Sequence, residues 1–123
     1  MRFVYYGQYA AYFEVGRVEA MRSLGIRYAS LESDHGILMP VMNMHVRYLR
    51  PAEYDELLSQ KTTVMHLPDN DIVFLNEIYK ESGKLAVSGR VTLCFLDAET
   101  KKRIKVPQAI VDTLKPYFDQ TQD

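Results

Sequence analysis

One helical stripe followed by a nearly unbroken series of alternating segments is what most restricts the fold of this chain. Between Gln8 and Leu24, the residues Tyr9, Phe13, Gly16, Ala20 and Leu24 recur at helical spacing and define a single apolar stripe. Gly16 lowers helix propensity in mid-stripe, as expected where a helix must come close to a sheet. Gly25 stands where a left-handed C-cap residue belongs. After a connection from Tyr28 to Gly36, with at most one helical turn, the period changes to two. Met42, Met44, Val46 and Tyr48 alternate with Asn43, His45 and Arg47, and Pro51 ends that strand. Leu57 to His66, Ile72 to Lys80 and Leu85 to Asp97 read as three further strands, separated by Pro68-Asp69-Asn70-Asp71 and Glu81-Ser82-Gly83-Lys84. On the last strand Val87, Val91, Leu93 and Phe95 share a face. Pro107 then opens a helix carrying Ile110, Val111 and Leu114. Helix, strands and short helix in this order predict an α+β architecture in which the long helix lies across one sheet face.

The 123 residues suit one domain, and an apolar content of 47% with 25% charged residues is that of a globular chain. A net charge of −1 gives no electrostatic case for nucleic acid. No run reaches membrane-spanning length and no signal-peptide order begins the chain, so a cytoplasmic location is the expectation. The single cysteine, Cys94, rules out an internal disulfide framework and reads as a buried strand thiol. His35, His45 and His66 lack close metal-ligand spacing, so no metal and no cofactor are expected. There is no G-x-S-x-G element and no glycine-rich phosphate loop. A four-stranded sheet around one helix leaves edges uncovered, which predicts self-association as a homodimer or homotetramer.

Short motifs in the same order resemble the hotdog-fold acyl-CoA thioesterases of the 4-hydroxybenzoyl-CoA thioesterase type. Val4-Tyr5-Tyr6-Gly7-Gln8-Tyr9 is similar to that family's helix start, and Tyr12-Phe13-Glu14-Val15-Gly16-Arg17 to its following "YFE-x-x-R". Ser23-Leu24-Gly25 matches the helix exit. Arg47-Tyr48-Leu49-Arg50-Pro51-Ala52 with Tyr54-Asp55-Glu56-Leu57 resembles the next strand, and Phe95-Leu96-Asp97 with Val106-Pro107 the close. The resemblance implies a curved antiparallel sheet wrapped around a central helix, paired subunits, and hydrolysis of acyl-CoA, or less readily of acyl carrier protein thioesters. It also implies a first-strand aspartate just ahead of the helix start, as nucleophile or as base for water. By the family's spacing that residue would lie shortly before Met1. The expectation is therefore a chain short of its first strand, with the start assigned late, because Met1-Arg2-Phe3-Val4 reads as the end of a loop. A binding protein that holds acyl thioesters without hydrolysing them is the alternative. A double-bond-forming or hydrating relative would need histidine where Tyr6 stands.

Thioester hydrolysis needs a polarised carbonyl oxygen and an activated water or nucleophile. Backbone N–H groups near Tyr6 and Gly7, free of helical acceptors and reinforced by the helix dipole, suit an oxyanion, or are capped by Tyr5 or solvent. Glu14 is the best carboxylate within the chain for a base, or it pairs with Arg17 one turn on; Glu19 and Arg22 form a similar pair. Asp55 offers a second carboxylate in a loop. Substrate contacts are expected from Gln8, Tyr9 and Phe13, with Met42 and Met44 lining an acyl slot or simply filling the core. Arg50, Arg90 and Lys101-Lys102-Arg103 are candidate cations for coenzyme A phosphates, the last three equally readable as a solvated turn.

Overall fold

The computed structural model describes residues 6–53 and 55–119, with Tyr6, Gly7 and Asp119 described by their backbone alone. The expectations placed on Met1 to Tyr5 and on Tyr54 fall outside those residues. Helix α1 spans Tyr6–Ser23 and α2 spans Tyr28–His35; strand β1 is Ile37–Leu38 and β2 is Val41–Tyr48. Then come β3 (Ser59–Val64), β4 (Asp71–Tyr79), β5 (Leu85–Asp97), β6 (Arg103–Ile104) and helix α3 (Gln108–Asp119). The connection after α1 is thus a two-turn helix rather than a single turn. Its sequence buries only Leu31, which leaves little periodicity to read.

All pairings are antiparallel, and β5 is the central strand. Its flank toward β4 runs from Leu85 to Cys94, while β2 covers Val87 to Leu93 on the other side. The sheet order is therefore β2, β5, β4, β3, with the two-residue strands β1 and β6 at the far end of β5. The alternation of β4 puts Ile72, Phe74, Asn76 and Ile78 fully inward. On β5 the inward residues are Val87, Gly89, Val91, Leu93 and Phe95, as the period-two pattern predicts. The expected strand Leu57 to His66 is shorter, because Leu57 and Leu58 belong to the preceding loop and Leu57 is 74% exposed.

Helix α1 crosses the concave face over β3 and β4. Its buried line is Tyr9, Phe13, Arg17 and Met21, a strict four-residue repeat, while Gly16, Ala20 and Leu24 form a partly buried shoulder. Two glycines set the approach. A Cβ on Gly16 would meet Gln60 Oε1 and Thr62 Oγ1 at 2.6 Å, and one on Gly89 would collide with the ring of Phe13. Gln60 Nε2 donates to the Tyr12 carbonyl at 2.9 Å, on the helical turn that closes at Gly16. Asn76 in turn donates Nδ2 to Gln60 Oε1 (3.1 Å) and Thr62 Oγ1 (3.0 Å). A helix carbonyl, two β3 side chains and one β4 side chain thus form a single chain of hydrogen bonds. That chain fixes α1 along the sheet as well as against it.

Candidate active site

The first turn of α1, Tyr6 to Tyr9, has N–H groups that no preceding helical carbonyl can accept. It carries no acidic residue, so nothing on the turn itself neutralises the positive end of the dipole. Tyr9 is 3% exposed and locks this turn in place. Its ring meets Tyr12 edge-on at 6.0 Å and tilts against Tyr48, at the end of β2, at 5.8 Å. The helix start, the end of β2 and the loop after it are therefore neighbours. Gln8 is exposed on the same turn.

Glu14 is exposed and forms no ion pair with Arg17; the expected i,i+3 pair is absent, whereas Glu19 and Arg22 do meet at 3.6 Å. The reason is that Arg17 sits on the buried line of the helix and points inward, 3% exposed. Its Nε and Nη1 find no acceptor among the described residues. The hydroxyl of Tyr28 lies close enough to feel its charge: burial pushes the phenol up, and the guanidinium pulls it partly back. Glu14 also stands about 12 Å up the axis from Tyr6 at 1.5 Å per residue, so the structure does not bring it to the helix start.

Other expected substrate contacts divide between core and surface. Phe13 is fully buried against Gly89 and belongs to the core. Met44 is partly buried, but Met42 is 47% exposed because β2 is a half-covered outer strand. Arg50 is exposed after β2 and donates Nη1 to the Leu85 carbonyl at 2.7 Å, near the Tyr48 end of the site. Arg90 is also exposed, but it alternates with the inward Gly89 and Val91, so it faces away from α1, across from His45 and Leu75. Lys101, Lys102 and Arg103 are exposed around a turn tied by Asp97, whose Oδ1 accepts the N–H of Glu99 (2.9 Å) and Thr100 (3.0 Å). Those donors hold the Asp97 carboxyl below its usual range. His66 Nδ1 lies 3.4 Å from the neighbouring Leu67 carbonyl, and Cys94 is a buried free thiol.

A cavity of about 280 Å³ escaped the sequence reading. Tyr12 forms its α1 side, Ile78 and Gln60 its sheet side, and Glu53, Leu57 and Leu58 its loop side. The loop is fastened at both ends by Lys80, whose Nζ donates to the Pro51 carbonyl at 2.7 Å and to Glu56 Oε1 at 2.8 Å. Glu56 Oε2 accepts the Glu81 N–H (3.1 Å), and Glu81 Oε1 accepts the Leu57 N–H (2.8 Å). These donors, Lys80 foremost, hold the Glu56 carboxyl below its usual range. Three separate segments build this cavity, so no contiguous motif announces it. The one available signal was Asn76, a polar residue at an inward position of an otherwise apolar alternation.

The sequence profile of the Thioesterase-like superfamily matches residues 1–114. YneP of Bacillus subtilis, provisionally named an acyl-CoA thioesterase, is 29% identical over 95% of this chain and 84% of its own length. The Escherichia coli acyl-CoA thioester hydrolase YbgC is 26% identical over 91% of this chain and 83% of its own. Among solved structures, the DHNA-CoA thioesterase from Staphylococcus aureus superposes with a TM-score of 0.85 and 32% identity, covering 98% of this chain and 80% of that one. With the helix-wrapped sheet already in place, these matches show that the chain belongs to the Thioesterase-like superfamily and has its hotdog fold.

Proposed function

We propose that this chain hydrolyses acyl-CoA thioesters to a free acid and coenzyme A. The observation that carries the reading is the family match over residues 1–114, joined to a 32% identical thioesterase structure that covers 98% of the chain. In this reading the thioester carbonyl lies against the first turn of α1. Its oxygen takes N–H groups around Tyr6 and Gly7 as the negative charge develops, and the helix dipole adds to their effect. One such donor contributes about 3 kcal/mol to lowering the barrier. The coenzyme is placed toward the Tyr48–Arg50 end, where Arg50 supplies a cation for a phosphate.

Hydrolysis also needs a carboxylate to deliver or activate water, and the turn that would hold the carbonyl bears none. That observation keeps the non-hydrolytic acyl-thioester binder as the second reading. Two copies are proposed to associate through β2, whose exposed Val41, Met42 and Tyr48 support such a contact. No helix of the described residues is long and apolar enough to cross a membrane, and a cytoplasmic setting, where coenzyme A thioesters are made, fits the reading.

The test is thiol release from a panel of acyl-CoA and acyl carrier protein thioesters. Release from acyl-CoA is expected. Acyl-CoA binding by calorimetry without any thiol release would transfer the assignment to the binding protein.

A further inference from the structure

We infer that the cavity between Tyr12, Ile78 and the 53–58 loop is the acyl-group pocket, and that Leu58 and Tyr12 set which acyl groups are accepted. The inference rests on the thioesterase reading and deepens it. Tyr12 lies about 9 Å along the helix axis from Tyr6, at 1.5 Å per residue. The Tyr12 ring meets Tyr9, in the first turn of α1, edge-on at 6.0 Å, so the rim of this cavity adjoins the turn that would hold the carbonyl. The volume of about 280 Å³ is at the small end for ligand pockets, so it fits the acyl part alone and leaves the coenzyme outside.

The chemistry of the walls points the same way. Gln60 spends its amide on Tyr12 and Asn76, and Glu56 spends its carboxylate on Lys80 and Glu81. Leu57, Leu58 and Ile78 give the space an apolar side, and Tyr12, Ser59 and Glu53 complete its lining. The Tyr12 hydroxyl makes no hydrogen bond among the described residues, and Tyr12 is 37% exposed, at the rim. The acyl group is thus directed inward past Tyr12 and the coenzyme outward past Tyr48 and Arg50. Because Lys80 ties the loop at Pro51 and at Glu56, the wall that carries Leu58 is held in place.

The experiment measures kcat/KM of the full chain and of Leu58→Trp, Leu58→Ala and Tyr12→Phe on acetyl-, benzoyl-, hydroxybenzoyl- and decanoyl-CoA. Leu58→Trp is expected to lower the benzoyl-to-acetyl ratio at least about tenfold, and Leu58→Ala to raise the decanoyl-to-benzoyl ratio. Tyr12→Phe should lower the hydroxybenzoyl-to-benzoyl ratio. Ratios that stay put in all three variants, with the parent chain active, would overturn the pocket and leave the thioesterase reading intact. A parent chain that releases no thiol from any substrate would overturn both. Should Leu58→Trp fail to fold, judged by its melting transition, the alanine and phenylalanine variants decide.

Discussion

Where the backbones of helix and sheet come nearest, single residues hold positions that no substitute can fill. A Cβ on Gly89 would collide with the edge of the Phe13 ring, which is itself fully buried. Gly89→Ala is therefore expected to cost about 1–3 kcal/mol in thermal or urea unfolding, the range of an overpacked core. Phe13→Leu introduced beside it should recover part of the loss, and strict additivity in the double mutant would refute the contact. Gly7 is the residue for a test of chemistry. Proline is tolerated in a first helical turn but has no N–H, so Gly7→Pro removes one proposed oxyanion donor with limited effect on the helix. A fall in kcat of about 100-fold or more, with KM and melting temperature little changed, is expected from the loss of one donor. An unchanged kcat would remove the Gly7 N–H from the mechanism. The glycine at position 16 was legible in the sequence as a close approach; the inward turn of Arg17 was not, because a charged residue three places after Glu14 reads naturally as a surface pair.

At the scale of elements, the 51–58 loop depends on charge. Glu56 faces Lys80 and the N–H of Glu81 and of Glu53, with the Glu81 carboxylate close behind on Leu57. Its carboxyl is held below the usual value, so the ionised form is favoured in the folded chain. The sign follows: the stabilisation is complete above the ordinary carboxylate pKa near 4.5 and is lost as pH falls through the lowered folded value. A melting temperature that drops between neutral pH and pH 3 is expected, with a shallower drop in Glu56→Gln. Parallel curves for the two proteins would show that the clamp contributes nothing. Elements were unequally legible. β5 was readable because Val87, Val91, Leu93 and Phe95 alternate with Ser88, Arg90 and Thr92, and β4 because an apolar run from Ile72 to Leu75 lies between two turn clusters. The two-residue strands β1 and β6 exist only because β5 overhangs its neighbours, and no local pattern encodes that. The helix start was legible through its motif. The cavity beside it was not, since α1, β4 and a loop each contribute residues that look ordinary alone.

For the whole molecule, the unfinished surface is β2. Among the described residues its only partner is β5, and Val41, Met42, Tyr48 and the following Leu49 are each more than 40% exposed. An eight-residue edge with exposed apolar side chains at Val41, Met42 and Tyr48 invites strand pairing, and pairing with the same strand of a second copy is self-complementary about a twofold axis. The hydrogen-bond alternation identifies which residues would carry it. Leu49 N–H already donates to the Ala86 carbonyl, so in an antiparallel ladder Arg47 and His45 also turn toward β5. Met44 and Val46 then aim their N–H and C=O groups away from β5. Val46→Pro deletes the central free N–H without breaking a bond to β5, a change edge strands accept. Sedimentation of the parent chain is expected to give twice the 14.3 kDa chain mass, and the variant to move toward a single chain at micromolar concentration. A variant that keeps the parent's mass would place the contact elsewhere. Because Tyr48 packs on Tyr9 in the first turn of α1, separation of the copies would also loosen one wall of the proposed catalytic turn. Thiol release should therefore fall with dilution in Val46→Pro, at concentrations where the parent chain stays fully active.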